Sequence, residues 1–201
     1  MNVAVSTTPK SHKSNGRADR TRLAVIDAFI ALVEEGDLSP SMPAIARRAG
    51  VSMRTLFYHF RDTESLYESV IRHQEPLVLR LIVSLDKDAA LRLRIRELVA
   101  QRCEVYANIA PLRRAVQSNI QVRTSSAIRA ARRRLEYVLV RHVNETFAGE
   151  LRAIPDRFGA SERIAAATSF EIWDYLSRVQ RLSASRVERH MVVAVLHELG
   201  A

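Results

Sequence analysis

An all-α fold of about nine helices is what this 201-residue chain predicts, on three observations. Apolar residues recur at three- and four-residue steps in nearly every segment, the period of a helix that buries one face. No alternation of apolar and polar residues stands out as a strand. The interruptions fall at prolines, glycines and serines placed to end or cap helices.

Taken in order, residues 1–18 are rich in Ser, Thr, Asn and Lys and without periodicity, which predicts a disordered arm. Lys10, Lys13, Arg17, Arg20 and Arg22 make the approach to the first helix basic. The arm reads as a solubilising tail or as a segment that orders in a DNA minor groove. The first helix follows, with Leu23, Ile26, Ile30 and Val33 on one stripe, Phe29 beside it, and an end at Gly36. A loop containing Pro40 leads to a second helix with Pro43 in its first turn, where a missing N–H costs little. Gly50 is placed to end that helix in a left-handed conformation, which glycine adopts without steric cost. Ser52 is placed to cap a third helix starting at Met53. Ile45 and Leu56 supply the apolar contact between the second and third helices, and Ala46 is small enough for their backbones to cross closely. Two short helices so joined form a helix-turn-helix, within a head spanning residues 19–66.

Residue by residue, the stretch Ser41 to Leu66 resembles the amino-terminal domain of the TetR (tetracycline-repressor) family of bacterial regulators. Ile45, Ala46, Ala49, Gly50, Val51, Ser52, Thr55, Leu56, Tyr58, His59 and Phe60 carry the resemblance, with Glu64 and Leu66 after them. It extends from Arg20 to Val70, and the rest of the chain agrees in helical character and length. The resemblance implies a homodimeric, ligand-responsive, sequence-specific regulator of transcription, a repressor released from a palindromic operator by a small-molecule effector. It places Ser52, Met53, Arg54, Thr55, Phe57, Tyr58, His59, Arg61 and Thr63 at double-stranded DNA, with Met53, Arg54 and Phe57 reaching bases. Two positions depart from the family pattern. Thr63 stands where a phosphate-holding lysine is usual and Phe57 where a tyrosine is usual, which makes Arg54 and Arg61 the substitute phosphate contacts.

Asp62 is placed to cap a fourth helix running to about Leu85, which opens the second unit, residues 67–201. Helical periods continue over 88–108, 111–121, 124–151, 161–181 and 186–199, with breaks at Pro111, at Pro155 to Gly159, and at Leu182 to Ser185. Ser185 and Glu188 have the spacing of a capping box. In the last two segments Ile164, Thr168, Ile172, Tyr175 and Val179 form one stripe, and Val187, Met191 and Val195 another. Helices apolar on two sides need two partners, so these stripes are the expected dimer face. Polar or aromatic residues inside otherwise apolar helices are the expected lining of a ligand pocket: Tyr106, Gln117, Asn119, His142, Asn144, Phe147, Phe170 and Trp173.

A formal charge of +9 suits a polyanionic partner, yet its location is uneven. Residues 1–72 hold 10 basic and 8 acidic side chains, residues 80–141 hold 14 and 5, and residues 142–201 hold 7 and 8. The basic middle reads three ways: a field extending the DNA-facing surface, a rim for an anionic effector such as a carboxylate or acyl thioester, or solvated helix surfaces. The effector is thus expected to be anionic or largely apolar. One cysteine, Cys103, leaves no internal disulfide; with no signal-like apolar segment, this points to a cytoplasmic protein outside any membrane.

Enzymatic readings find little. The six glycines are isolated, so no phosphate-cradling loop is present. No Gly-x-Ser-x-Gly elbow occurs, and no two histidines lie four apart on a helix. Neither catalysis nor a cofactor or metal is expected, and Cys103 reads as a small core residue. The alternatives to a regulator are a sequence-tolerant, architectural DNA binder and, more remotely, a helical enzyme.

Overall fold

The computed structural model describes residues 12–200, and everything among them is helix or connection. The first helix, α1 (His12–Glu34), starts earlier than its periodicity suggests. Residues 12–18, expected in the arm, form its first turns, because each residue added to an existing helix gains a backbone bond without a new nucleus. The rest of the expected arm lies outside the described residues. The helix turns Val25, Ile26, Phe29 and Val33 into the core and leaves Leu23 43 % exposed, so the buried stripe is centred one residue away from the expected one.

Two glycines end helices by the same device. Gly36 has φ +100° and Gly50 φ +66°. After α1, Asp37 N–H donates to the Leu32 carbonyl at 3.0 Å; after α2 (Met42–Arg48), Val51 N–H donates to the Ala46 carbonyl at 3.0 Å. Both bonds close the last turn around a left-handed residue. Ser41 caps α2, Ser52 caps α3 (Met53–His59), and Asp62 with Ser65 forms a reciprocal capping box on α4 (Thr63–Leu79). Ile45 and Leu56 are fully buried between α2 and α3, and Ala46 nearly so.

Beyond the head, α4 stops at Leu79 rather than near Leu85, one turn after its internal Pro76. Helix α5 (Leu91–Ser118) runs 28 residues, about 42 Å, straight through Pro111. The break expected there does not form. Ala110 and Ala115 on either side are buried, and their packing holds the helix across the one bond that proline withholds. The remaining elements are α6 (Ile120–Thr124), α7 (Ser126–Thr146), α8 (Ala148–Ala153), α9 (Arg157–Ala167), α10 (Phe170–Asp174), a π-helical turn (Tyr175–Val179) and α11 (Ala184–Glu198). The single helix expected over 124–151 splits at buried Phe147, and that over 161–181 splits at Ser169, whose hydroxyl caps α10. The last helix starts at Ala184, two residues before the expected start at 186, with Ser183 at its N-cap position making no side-chain capping bond, so Ser185 lies within its first turn.

Two apolar cores result. One joins α1 to α4 and extends to Ala115, Val122 and Ile128 of α5, α6 and α7; the other fills the space among α5, α7, α9, α10 and α11. The head is therefore packed against the second unit through shared apolar contacts rather than tethered to it.

Candidate nucleic-acid interface and cavities

Helix α3 is held by its buried side and presents the other. Leu56 and Phe60 are buried, whereas Arg54, Phe57 and Tyr58 are exposed, Tyr58 by 83 %. Met53 and His59 are half-exposed at the two ends, and the His59 ring packs edge-on against Tyr58 at 5.2 Å. Ser52 Oγ accepts from Thr55 N–H at 3.1 Å and lies 2.9 Å from Thr55 Oγ1, so both hydroxyls are engaged in the cap. Arg61 projects almost fully into solvent, with Nε donating to Asp62 Oδ2 at 3.0 Å. Thr63 opens α4 and offers no cation. The nine expected contact residues are thus all exposed or half-exposed.

One positioning residue escaped the sequence reading. Arg22, expected in the basic approach, is half-buried and pinned to the head. Its Nη2 donates to Ser69 Oγ at 2.6 Å, its Nη1 donates to the His59 carbonyl at 3.3 Å, and its guanidinium lies 4.7 Å above the Phe60 ring. It joins α1, α4 and the C-terminus of α3, where a cation also favours the helix dipole. Arg48 is likewise engaged, bidentate to Glu35 across the α1–α2 junction.

The second unit contains two larger cavities. The bigger, about 560 Å³, lies among α4, α5, α6 and α7, with walls that include Ile71, Val78, Ile109, Leu112 and Val138. Gln74 also lines it, and its side-chain oxygen is buried without a hydrogen-bond partner. The smaller, about 210 Å³, lies among α5, α7, α9 and α10. Of the expected lining residues, Gln117 faces the larger cavity, and Tyr106 and Phe170 the smaller, with Trp173 packed against both rings. The others have different work. Asn119 caps α6, Asn144 accepts from Ser161 Oγ at 2.7 Å, and His142 and Phe147 are buried beside the core. Gln74 was legible as a lone amide between Ile71 and Val78 on one face of α4.

The expected dimer stripe divides. Ile164, Thr168, Val187, Met191 and Val195 are all buried within the chain's own core, while Ile172, Tyr175 and Val179 are 41 %, 48 % and 55 % exposed. The cause is the break at Ser169 followed by the π turn, which rotates later residues out of the stripe that Ile164 and Thr168 begin. Val193 of α11 is exposed as well.

Six of the fourteen cations of the basic middle pair with carboxylates. Arg94 pairs with Glu150, Arg114 with Asp174, Arg134 with Glu75 and Arg141 with Glu145, while Arg113 and Arg132 share Glu136 and Glu171. Burial pushes the Cys103 thiol up to about 12, opposite to an activated nucleophile. Among the described residues no three His, Cys, Asp or Glu side chains are grouped to hold a metal, and no helix is long and apolar enough to cross a membrane.

These features define a class: an all-helical protein with a capped helix-turn-helix head welded to a cavity-bearing helical unit. Residues 26–70 match the family model of the bacterial regulatory proteins, tetR family. The fold is that of a transcriptional regulator from Rhodococcus sp. Rha1, at 17 % identity and TM-score 0.67 over 91 % of this chain and 96 % of that one. A TetR family transcription regulator from Marinobacter aquaeolei VT8 shares it at 18 % identity and TM-score 0.57, over 90 % and 96 % of the two chains. So does the flavonoid-responsive regulator FrrA, at 21 % identity and TM-score 0.58 over the same shares. No curated protein matches. The resemblance seen in the sequence holds for the amino-terminal domain, where the family model matches, and the fold of the whole described chain is that of these regulators.

Proposed function

We propose that the protein is a repressor that binds a palindromic operator as a homodimer and is released by a small-molecule effector bound in the larger cavity. The observation that carries this reading is the span of α4. Its first half, with Leu66, Tyr67 and Val70, belongs to the core of the head, and its second half, with Gln74 and Val78, walls the cavity. A ligand that fits the cavity better when α4 is displaced shifts the head with it, and only such differential affinity moves the balance. Apolar walls with one unpaired acceptor at Gln74 suit an apolar ligand that donates a hydrogen bond, and a structural neighbour is named as flavonoid-responsive. Cytoplasmic location and absence of catalysis belong to the same reading.

On DNA, Met53, Arg54 and Phe57 reach bases while Thr55, Tyr58, His59, Arg61, the cap Ser52 and Thr63 at the start of α4 meet the backbone. The exposed apolar residues Ile172, Tyr175, Val179 and Val193 form the pairing face. Two heads so joined read two half-sites, which supplies the specificity a single seven-residue helix lacks.

The test is selection of bound duplexes from a random pool by the full-length protein at near-physiological salt. Enrichment of a palindrome is expected. Retained DNA without a motif would instead indicate a sequence-tolerant binder, and no retention would overturn the DNA-binding reading altogether.

A further inference from the structure

Among the described residues Arg102 is the largest fully buried side chain, 1 % exposed, and no carboxylate lies within ion-pairing distance of it. Its Nη2 donates to the Leu139 carbonyl at 2.6 Å, and its Nη1 is buried with no partner. The loss of water alone pulls its acidity to about 10. An uncompensated buried charge costs several kcal/mol, so a fold that keeps one has a use for it or a counter-charge to receive.

Arg102 lines the smaller cavity, with Tyr106, Leu135, Val143 and Phe170 making its walls apolar. Arg113, Glu136 and Glu171 border it too. Those two carboxylates are matched by two guanidiniums: Glu171 lies 2.6 Å from Arg113 and 3.0 Å from Arg132, and Glu136 lies 2.6 Å from Arg132. Tyr106 is neutral, its hydroxyl donating to the Thr168 carbonyl at 2.6 Å. His142 nearby is held uncharged by burial and by the Arg102 charge. The charge left over at the cavity is that of Arg102. A volume near 210 Å³ is below the usual range for a drug-sized ligand and suits a fragment with one ring or a short branched chain.

We propose that this cavity is a binding site, distinct from the larger one, for a small carboxylate with an apolar body, its charge received by the unpaired Nη1 of Arg102. Binding there does not depend on the operator or on the larger cavity, so the proposal stands apart from the repressor reading.

The experiment uses the full chain and two isosteric probes, phenylacetate and phenylacetamide, with sodium chloride at matched ionic strength. The single tryptophan, Trp173, has its ring 6.0 Å from Tyr106 and 5.8 Å from Phe170, so its emission reports occupancy directly. Saturable change with phenylacetate is expected, at an affinity roughly tenfold or more above the amide, as charge-assisted recognition gives. In Arg102→Met, which removes the buried charge and keeps the stem, that preference should vanish while the melting temperature does not fall. Equal response to the amide, an equal response to chloride alone, or an Arg102→Met protein that still prefers the acid would overturn the assignment. Should that variant not fold, the acid-over-amide ratio in the native chain decides by itself.

Discussion

Removing Arg22 should disorder the recognition surface without removing a phosphate contact. The perturbation is Arg22→Met, which keeps the aliphatic stem on Phe60 and deletes the fork. Lost are the 2.6 Å bond to Ser69 and the weaker 3.3 Å bond to the His59 carbonyl, together with the cation 4.7 Å above the Phe60 ring. A hydrogen bond to a charged group contributes about 1.5 kcal/mol or more, and a half-exposed cation–π contact about 0.5–1 kcal/mol. Half-burial keeps the total near 2 kcal/mol. Ser69 Oγ still donates to the Ser65 carbonyl at 2.8 Å, so no buried hydroxyl is orphaned. Urea unfolding should show a loss of about 1–2 kcal/mol. Operator binding, followed by anisotropy across a salt series, should weaken with little change of salt slope, and Arg22→Lys should not restore it, because an ammonium cannot span Ser69 and His59. A phosphate contact would behave otherwise: the slope would fall by about 0.9 and lysine would recover it. That pattern, or an unfolding midpoint equal to that of the parent, would refute the positioning role.

The other expectations concern the same surface and the core. Arg54→Ala should relax preference at one base pair of each half-site, a loss of roughly 1–3 kcal/mol of discrimination, and an unchanged site profile would remove Arg54 from base reading. Phe57→Tyr should tighten binding to all duplexes alike by restoring a phosphate contact, so a gain confined to one sequence would contradict it. Arg123 and Arg129 line the larger cavity and have no ion-pair partner among the described residues; with both changed to Gln the operator salt slope should stay as it was, and a fall near 2 would place them on DNA instead. Burial holds the folded-state pKa of His142 below its unfolded value, so it stabilises the fold above about pH 6.5 and that stability is lost as pH falls toward the folded value. Chemical unfolding between pH 7 and 5 should therefore be steeper for the parent than for His142→Gln, by up to about 1.4 kcal/mol per unit, and parallel curves would sink the argument.

How far the sequence could be read depended on how local the determinants were. Gly50, Ser52 and Asp62 act through bonds to backbone within a few residues, and each performs the role its spacing suggests. Pro111 misled, because whether a proline breaks a helix is decided by what its flanks pack against, here Ala110 and Ala115 in the core. The dimer stripe misled for a related reason. A stripe at helical period assumes an unbroken helix, and between Thr168 and Val179 the chain restarts at Ser169 and then underwinds. Ile164 and Ile172 look equivalent on paper, yet one is fully buried and the other 41 % exposed. The cavities were least legible, since Gln74 meets them from α4, Arg102 and Arg113 from α5 and Leu135 from α7.

The charge count gains its meaning from this packing. A basic middle of 14 cations and 5 carboxylates suggested a surface waiting for a polyanion. Folding instead lays α5 and α7 against segments from the more acidic last third, where Glu150, Glu171 and Asp174 face Arg94, Arg113 and Arg114. Such pairs are made within the chain and neutralise six of the fourteen cations locally, while the other eight keep their charge. Seven of the cations that escape pairing, Arg123 and Arg129 among them, lie exposed on the surface, and one does not: Arg102 is buried on the same face of α5 as Ile95, Leu98 and Val105. On a helix whose other core positions are aliphatic or aromatic, apart from Arg94 with its Glu150 partner, an unpaired cation at that register costs stability in the empty protein. The same charge gives an anion an interaction that water cannot match, and a ligand that binds only the folded state returns that stability by mass action.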